Sequence, residues 1–452
     1  LLVNSLGSRH GSRQNPLTEI QAFQTCNDRW SVVMKADLII VKAAAIVTMA
    51  SGGKPKAGAK MSDAGIITDA GIAIHDGKIT ELGSSAEIEE KYEWNEMIDA
   101  SGKVLLPGFV DPHTHPVFVH TREDEFAMRL AGASYVDIAK AGGGILSTLR
   151  STRTADSDLL MSLAAKRIRK MISMGTTTLE AKSGYGLDTN SELKQLEVIG
   201  RLAAELPVDI VATFMGAHEY PPEYKSDHEA YINILCHEMI PAVRQQGIAR
   251  YCDIFTEAHV YSIDESRQVL SCAKAQGLQL KMHADEIEPI GGAELAAELG
   301  CVSADHLGAA SDRGITAMHE AGVIPVLLPA TLFSLRSKSY ARGLDMIAAG
   351  LPVAIATDFN PGSCNCDSMP FVISLACLQM GFSPAQALAA ATINAAFAIG
   401  MQDRVGSLEV GKQADITLWD IPGINFIPYH LGSSHLERVL KNGRTIFVNN
   451  TI

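Results

Sequence analysis

The feature that most constrains the fold is a series of eight short apolar runs, separated by helix-length stretches, between Pro107 and Met401. This alternation is typical of a parallel sheet, and eight parallel strands are the number that closes a (β/α)8 barrel. The sequence therefore predicts an α/β protein with a (β/α)8 TIM barrel over residues 107–401. The predicted strands are FVDPHTH (109–115), TTTLEAK (176–182), DIVATFMGAH (209–218), DIFTEAH (253–259), LQLKMHADE (278–286), VSADH (302–306), VIPVLLPA (323–330) and PVAIATD (352–358).

The two ends of the chain carry a different pattern, in which short strands are joined by tight turns. Asp76-Gly77 and Asn442-Gly443 each lie between two alternating strands, as is typical of two-residue β-hairpins. We therefore expect a small β-sandwich domain built from residues 34–106 and 402–452. Residues 1–33 have no clear period and are predicted to be a poorly ordered extension, which makes Met34 a candidate for the original start.

Composition excludes several classes of function. The formal net charge of −13 argues against nucleic acid or an anionic membrane as the main partner, and any anionic substrate would need a cation placed in its site. Residues 368–402 contain no charged residue, but Gly381 and Pro384 break the stretch, so a pair of buried helices is predicted rather than a membrane span. Eight scattered cysteines and the lack of a signal-peptide pattern favour the cytoplasm.

Polar residues accumulate where seven of the eight predicted strands end. The carboxyl ends of barrel strands meet at one rim, which carries the active site in enzymes of this fold. A single histidine at a strand end is more often a packed core residue than a ligand, but the joint placement of several on one rim favours a site. The residues concerned are His113, His115, Lys182, His218, Glu257, His259, His283, Glu286, His306 and Asp358.

His113 and His115 form the core of a candidate metal site. They lie two residues apart on an extended segment, so both imidazoles point to the same side and can reach one cation. His283 and Asp358 would complete a set of ligands that suits zinc or iron and leaves room for water. Such a water becomes hydroxide near neutral pH and attacks a carbonyl or amidine carbon.

The chain also carries nine short motifs, which are PGFVDPHTHPVF, HTREDEF, AGGGI, EAKSGYGLD, FMGAHEYPPEY, MHADE, SADHL, ATDFNPGS and GSLEVGKQADI. Together they resemble the amidohydrolase superfamily and, more closely, its imidazolonepropionase family. The first and last motifs occur throughout the superfamily, whereas AKSGYGLD, GAHEYPPEYK and TREDEF are more specific. The resemblance implies a homodimer with one divalent or trivalent metal ion per chain, zinc or iron. It also implies a small-molecule substrate, 4-imidazolone-5-propanoate, opened by water to N-formimidoyl-L-glutamate in L-histidine degradation.

The resemblance assigns substrate contacts residue by residue. Arg122 would bind the propionate carboxylate, because a guanidinium fork suits a carboxylate and supplies the local cation that the net charge requires. Tyr185 and His218 would contact the ring and the product. The substrate tail would be held by Asn360, Gly362 and Ser363.

The resemblance also assigns the catalytic groups. Glu286 would bond to a ring nitrogen and shuttle a proton, and His306 would hold or activate the nucleophilic water beside Asp358. The implied metal ligands are His113, His115, His283 and Asp358.

Several features admit other interpretations. Lys182 could be the carboxylated lysine of a two-metal site, but in binuclear relatives that lysine comes from the fourth strand, where this chain has Glu257, so one metal is expected. Arg122 could pair with its acidic neighbours at positions 123–125. The glycines at 142–144 lack the spacing of a phosphate loop and are predicted to be a flexible rim loop. In the eighth-strand loop, where many relatives have Thr, Ser or Pro, the thiols at positions 364 and 366 are predicted to pack.

Two alternative functions stay open at this point. An aminohydrolase, or deaminase, of a purine, pyrimidine or related heterocycle would use the same metal set, but would have no need of Arg122, Tyr185 and the FMGAHEYPPEY loop. A non-catalytic scaffold of the dihydropyrimidinase-like kind would have lost its metal ligands, whereas all four are present here.

Overall fold

The computed structural model describes residues 34–132 and 143–449. The extension predicted at residues 1–33, and Gly142 of the predicted rim loop, lie outside the described residues. Sixteen strands within the described ranges form two sheets. They are β1 (Met34–Val47), β2 (Ile66–His75), β3 (Lys78–Ser84), β4 (Tyr92–Asp99), β5 (Val104–Pro107), β6 (Phe109–Asp111), β7 (Thr176–Lys182), β8 (Asp209–Ala217), β9 (Tyr251–Thr256), β10 (Gln279–Ala284), β11 (Ser303–His306), β12 (Ile324–Leu327), β13 (Ala354–Ile355), β14 (Ile416–Trp419), β15 (Leu436–Lys441) and β16 (Arg444–Val448).

Most helices connect successive barrel strands. Some helices begin with a capping box, as at Ser262 and Ser383. The serine hydroxyl accepts a hydrogen bond from the backbone N–H three residues later, and the side chain of that later residue accepts from the backbone N–H of the serine. The α-helices of the described ranges are α1 (Ser85–Lys91), α2 (Glu123–Leu130), α3 (Ile145–Thr154), α4 (Ser157–Ile172), α5 (Thr189–Glu205), α6 (His228–Ile234), α7 (Ile240–Gln246), α8 (Ile263–Ala275), α9 (Gly292–Leu299), α10 (Asp312–Ala321), α11 (Pro329–Ser334), α12 (Gly343–Ala348), α13 (Met369–Met380), α14 (Pro384–Ala391), α15 (Ile393–Ala398) and α16 (Phe426–Tyr429). Short 3-10 turns lie at Gly58–Ser62 and Pro222–Tyr224, and a π-helical turn at Leu235–Met239 joins α6 to α7.

The predicted barrel is confirmed. All eight predicted strands are present as β6 to β13, and each pairs in parallel with its neighbours in chain order. Several end earlier than predicted, because the residues at their carboxyl ends leave the ladder to line the rim. The first strand, for example, stops at Asp111, since Pro112 has no N–H to donate.

The barrel closes through the segments that follow its first and last strands. The N–H of Asp358 donates to the carbonyl of His113 at 3.1 Å, and the N–H of His115 donates to the carbonyl of Phe359 at 2.8 Å. Below this seam the buried carboxylate of Asp111 accepts from both the N–H and the hydroxyl of Thr357, at 3.0 and 2.6 Å. Closure therefore places the first and last predicted metal ligands side by side.

The second sheet is composite, as predicted, and takes strands from both ends of the chain in the order β16-β15-β14-β5-β1-β2-β3, with β4 also paired to β1. Both predicted hairpin turns are present, with positive φ at Asp76 and Asn442. The long strand β1 bulges at residues 41–42 and changes partner there, from β4 before the bulge to β5 after it. The domain boundaries at 106/107 and 401/402 stay predictions.

The uncharged stretch at residues 368–402 forms three short helices, α13 to α15, instead of the predicted pair. The extra break is at Thr392, whose backbone is not helical and whose hydroxyl donates to the carbonyl of Leu388 at 2.6 Å. Most residues of these helices are buried. None of the helices in the described part of the chain has both the length and the apolarity that crossing a membrane requires.

Lys441 joins the composite sheet to the barrel. Its ammonium nitrogen lies 2.6 Å from a carboxylate oxygen of Asp209, at the start of β8, and 2.6 Å from one of Asp415, just before β14. The lysine side chain is 5% exposed, so this pairing is largely shielded from water. Removing one partner of such a buried pair leaves an uncompensated charge.

Lys441→Met should therefore lower the free energy of unfolding by about 3 to 5 kcal/mol. Urea denaturation measures this, with Arg444→Met as the control, because that exposed side chain on the next strand should contribute less than about 0.5 kcal/mol. Equal stabilities for the two variants would contradict the account.

Candidate active site

The predicted metal ligands of the first and last strands meet inside the rim of the barrel. The Nε2 atoms of His113 and His115 are 3.3 Å apart, and Oδ1 of Asp358 lies 3.5 and 3.9 Å from them. The ring of His283 lies 4.4 Å from the ring of His113, centroid to centroid. All four side chains are almost fully buried. The strands thus bring together three imidazoles and one carboxylate.

Neighbouring polar groups hold these side chains in place. Nδ1 of His113 donates to Asp305 at 2.6 Å, and Nδ1 of His283 is paired with Asp253 at 3.2 Å. With Nδ1 engaged in this way, the Nε2 lone pair is left free for a cation. The donor set therefore fits a single zinc or iron ion, and a cation would compensate the burial of these groups.

Burial also sets the charge of the site. It lowers the pKa of His113 and His115 well below the usual range, so both imidazoles are neutral and able to act as ligands. Burial raises the pKa of Asp358 to about 6, while a hydrogen bond donated by Thr331 at 2.6 Å favours the ionised form. Near neutral pH the site thus offers neutral nitrogens and a carboxylate.

Lys182 lies beneath the ligands and is fully buried. Its ammonium group contacts Glu180 at 2.7 Å and Asp253 at 2.6 Å, and these carboxylates raise its pKa despite the desolvation that opposes it. A lysine must be neutral to react with carbon dioxide. The contacts therefore argue against the carboxylated lysine of a two-metal site.

Glu286 and His306 face each other above the ligands, with Oε2 of the glutamate 3.5 Å from Nδ1 of the histidine. Burial raises the pKa of Glu286 to about 8, with smaller effects from Asp358 and Glu257. Gly308 allows this approach, because a Cβ there would lie 2.4 Å from the carbonyl oxygen of Glu286. At neutral pH Glu286 is thus largely protonated and able to donate.

Glu257, the residue in place of the fourth-strand lysine, supports the same loop. Its buried carboxylate accepts the N–H groups of Ile287 and Glu288, at 2.9 and 3.3 Å. It thus fixes the backbone immediately after Glu286.

A cavity of about 470 Å³ opens above the ligands, and Arg122 lies in its wall. The Arg122 side chain is 17% exposed, and its Nε forms no hydrogen bond with any described residue, although Oε2 of Glu125 lies 3.4 Å away. It packs on the backbone of Gly362, where a Cβ would lie 1.6 Å from its terminal nitrogen. Arg129 also lines the cavity and donates to the carbonyl of Gly362 at 3.2 Å. The cavity therefore has a cationic wall.

Tyr185 and His218 form another part of the wall. Their ring centroids are 5.4 Å apart, and His218 stacks on His115 at 5.1 Å. Nδ1 of His218 is bonded to the carbonyl of Gly184 at 3.0 Å, and burial lowers the pKa of this histidine to about 3. It is thus a neutral ring that presents Nε2 to the cavity.

The loop after the eighth strand is organised by Asn360. Its amide oxygen accepts the N–H groups of Gly362 and Ser363, both at 2.8 Å, and its amide nitrogen donates to the carbonyl of Asp358 and to the hydroxyl of Ser363. The side chain predicted to bind substrate thus also shapes the loop. The thiols of Cys364 and Cys366 donate to backbone carbonyls and line a second cavity of about 520 Å³, which shares Arg122 and Arg129 with the first.

Several residues of the site were not predicted from the sequence. The seventh predicted strand ends without a polar residue, and Thr331, one residue past its end, takes the rim position there. Asp253 precedes the rim residue Glu257 by four positions, so strand alternation places both on the same face, and this spacing could have revealed it; Asp305 directly precedes His306 and has no such signal. Arg129 follows Arg122 by two helical turns, which places both on one face.

Metal binding should stabilise the protein through this site. Zinc added to the chelator-treated protein at a hundredfold excess over its Kd should raise the free energy of unfolding by about 2.7 kcal/mol. His115→Ala should lose most of this response. His75→Ala, in the exposed Asp37-His75-Asp76 cluster, should keep it. Denaturation with and without zinc gives the answer, and an unchanged response in His115→Ala would contradict the assignment.

Solved structures with the same fold include deaminases. The guanine deaminase of E. coli superposes with a TM-score of 0.69 at 16% identity, covering 91% of this chain and 100% of that one. An adenosine deaminase from Xanthomonas campestris with bound zinc gives a TM-score of 0.67 at 18% identity, covering 92% and 94%. At these identities the likeness shows the fold alone.

Sequence comparison is more specific. The amidohydrolase family profile matches residues 104–448. The imidazolonepropionase of Symbiobacterium thermophilum is 50% identical over 414 residues, which are 91% of this chain and 97% of that relative. That of Geobacillus kaustophilus is 49% identical, covering 90% and 97%. The chain therefore belongs to the amidohydrolase family and, within it, to the imidazolonepropionases.

Proposed function

We propose that this protein hydrolyses 4-imidazolone-5-propanoate to N-formimidoyl-L-glutamate, a step of L-histidine degradation. The main support is that one cavity is lined both by three of the four proposed metal ligands, His115, His283 and Asp358, and by Arg122. The substrate has the matching pair of groups, a ring carbonyl to be attacked and a propionate carboxylate to be bound. The two imidazolonepropionases at 49–50% identity support the assignment.

Different side chains of the site would bind the metal, remove the proton from water and protonate the leaving nitrogen. A metal ion held by the three histidines and Asp358 would supply Lewis-acid chemistry, polarising oxygen and acidifying water. Asp358, beside His306, would take the proton of the attacking water. As the water oxygen bonds to the ring carbonyl carbon, the C–N bond breaks, and Glu286 would give its proton to the departing nitrogen. The raised pKa of Glu286 suits this acid role.

Substrate recognition would come from the cavity walls. Arg122 would pair with the propionate carboxylate, while Tyr185 and the neutral His218 would face the ring. The N–H groups of Gly362 and Ser363 already donate to the amide oxygen of Asn360, so this loop would hold the tail chiefly by its shape.

The proposal also covers the metal, the oligomeric state and the cellular location. We propose zinc or iron as the metal, because both accept three imidazoles and a carboxylate. A homodimer is proposed from the resemblance to the family. A cytoplasmic location is proposed from the scattered cysteines and the acidic composition.

The deaminase alternative shares the fold and the metal set. It is less well supported, because a neutral heterocycle gives no use for the cationic wall formed by Arg122 and Arg129. A scaffold without a metal site is disfavoured because His113, His115 and Asp358 lie within ligand distance of one another, as do His113, His283 and His306.

Arg122→Ala should raise KM for 4-imidazolone-5-propanoate by roughly 10- to 100-fold, since a hydrogen-bonded ion pair is lost. The effect on an imidazolone without the carboxylate should be small. Gly362→Ala should show the same selectivity, because its Cβ would displace the guanidinium. Arg169→Ala, on the exposed face of α4, is the matched control. Equal losses on both substrates would disprove the anchor role.

The function itself is tested by following the ultraviolet absorbance of 4-imidazolone-5-propanoate with the purified protein. We expect loss of absorbance without release of ammonia, abolished by a chelator and restored by zinc or iron. Ammonia release from purines or pyrimidines, with the imidazolone untouched, would instead support the deaminase alternative.

A further inference from the structure

Lys182 is a fully buried cation that the reaction does not use. Its nitrogen lies 2.7 Å from Glu180, 2.6 Å from Asp253 and 3.7 Å from Asp305, and all four side chains have no exposed area. Burying an ammonium group costs free energy unless carboxylates pair with it, as three do here below the rim, so this arrangement calls for a structural or functional explanation.

Two of these carboxylates hold metal ligands. Oδ2 of Asp305 accepts from Nδ1 of His113 at 2.6 Å, and Oδ1 of Asp253 is paired with Nδ1 of His283 at 3.2 Å. The ammonium group of Lys182 lies 2.6 Å from Oδ2 of Asp253, which is itself 3.2 Å from Nδ1 of His283, and 3.7 Å from the Asp305 oxygen that His113 contacts. One ammonium group is thus connected, through one carboxylate on each side, to two ligand imidazoles from different strands.

We propose that Lys182 is a positioning residue of the metal site, which ties Asp253 to Asp305 and thereby fixes His283 and His113 at the spacing that one metal ion requires. The proposal rests on the metal site of the proposed function, but it does not depend on which substrate is hydrolysed. Partners of metal-ligating imidazoles typically change metal affinity by about 10- to 100-fold when they are lost.

The second buried lysine does not duplicate this connection. Lys281 contacts Glu180 at 3.0 Å and Asp305 at 3.6 Å and donates to the carbonyl of Pro112 at 2.8 Å. It therefore reaches only the His113 side of the site. Among the described residues, Lys182 is the cation that contacts both supporting aspartates.

Metal affinity tests the proposal without any substrate. Lys182→Met should weaken zinc binding by about 10- to 100-fold in competition with a chelator. It should also change the visible d–d spectrum of the cobalt-substituted protein, since the two imidazoles would no longer be held at the same spacing. Lys441→Met is the matched control. That lysine also bridges two aspartates at 2.6 Å, but outside the rim, so it should lose stability and keep both the zinc affinity and the cobalt spectrum.

A second variant covers the case in which Lys182→Met does not fold. Glu180→Gln combined with Lys182→Gln removes one charge of each sign, so the buried net charge is unchanged. It should fold and still bind zinc at least tenfold more weakly. Glu180→Gln alone leaves a buried positive charge uncompensated and should lower stability, but it keeps Lys182 against both aspartates and should therefore weaken zinc binding less than the double variant does. Zinc affinity within about twofold of the parent in either folded Lys182 variant, with an unchanged cobalt spectrum, would overturn the proposal.

Discussion

The site depends on how the barrel is closed. Eight parallel strands bring their carboxyl ends to one rim, but the first and last strands meet only through the segments that follow them. The two backbone hydrogen bonds that join His113 to Asp358 and His115 to Phe359 form that seam. Because His113, His115 and Asp358 lie in this seam, closing the barrel also brings together three of the four proposed metal ligands.

A layer of buried charge supports the seam from below. Glu180, Asp253 and Asp305 would be costly to bury alone, and Lys182 and Lys281 compensate them with contacts of 2.6 to 3.7 Å. This layer holds the imidazoles from behind, while the cavity in front is open to substrate. Arg122 and Arg129 give the same cavity a cationic wall.

Most of the architecture could be predicted from the sequence. The eight strands and the composite sheet follow from periodicity, and the four ligands follow from strand-end placement together with the family motifs. The residues that hold the ligand imidazoles were not predicted, because in the sequence Asp253 and Asp305 are single charged residues among apolar ones. Only the folded barrel places them beside His283 and His113. For Asn360 the family resemblance implies a substrate contact, but its hydrogen bonds to Gly362 and Ser363 depend on a loop conformation that the sequence does not reveal. Thr392 likewise splits one predicted helix, because its backbone is not helical and its hydroxyl bonds to the carbonyl of Leu388.

The proposed mechanism requires that His113, His115, His283 and Asp358 together bind a single catalytic metal ion. Anomalous scattering from crystals of the zinc-loaded protein tests it most directly. We expect one strong peak per chain, within coordination distance of all four side chains. A second peak of equal strength beside Glu180 and Asp305, or a single peak at the exposed Asp37-His75-Asp76 cluster, would contradict the claim.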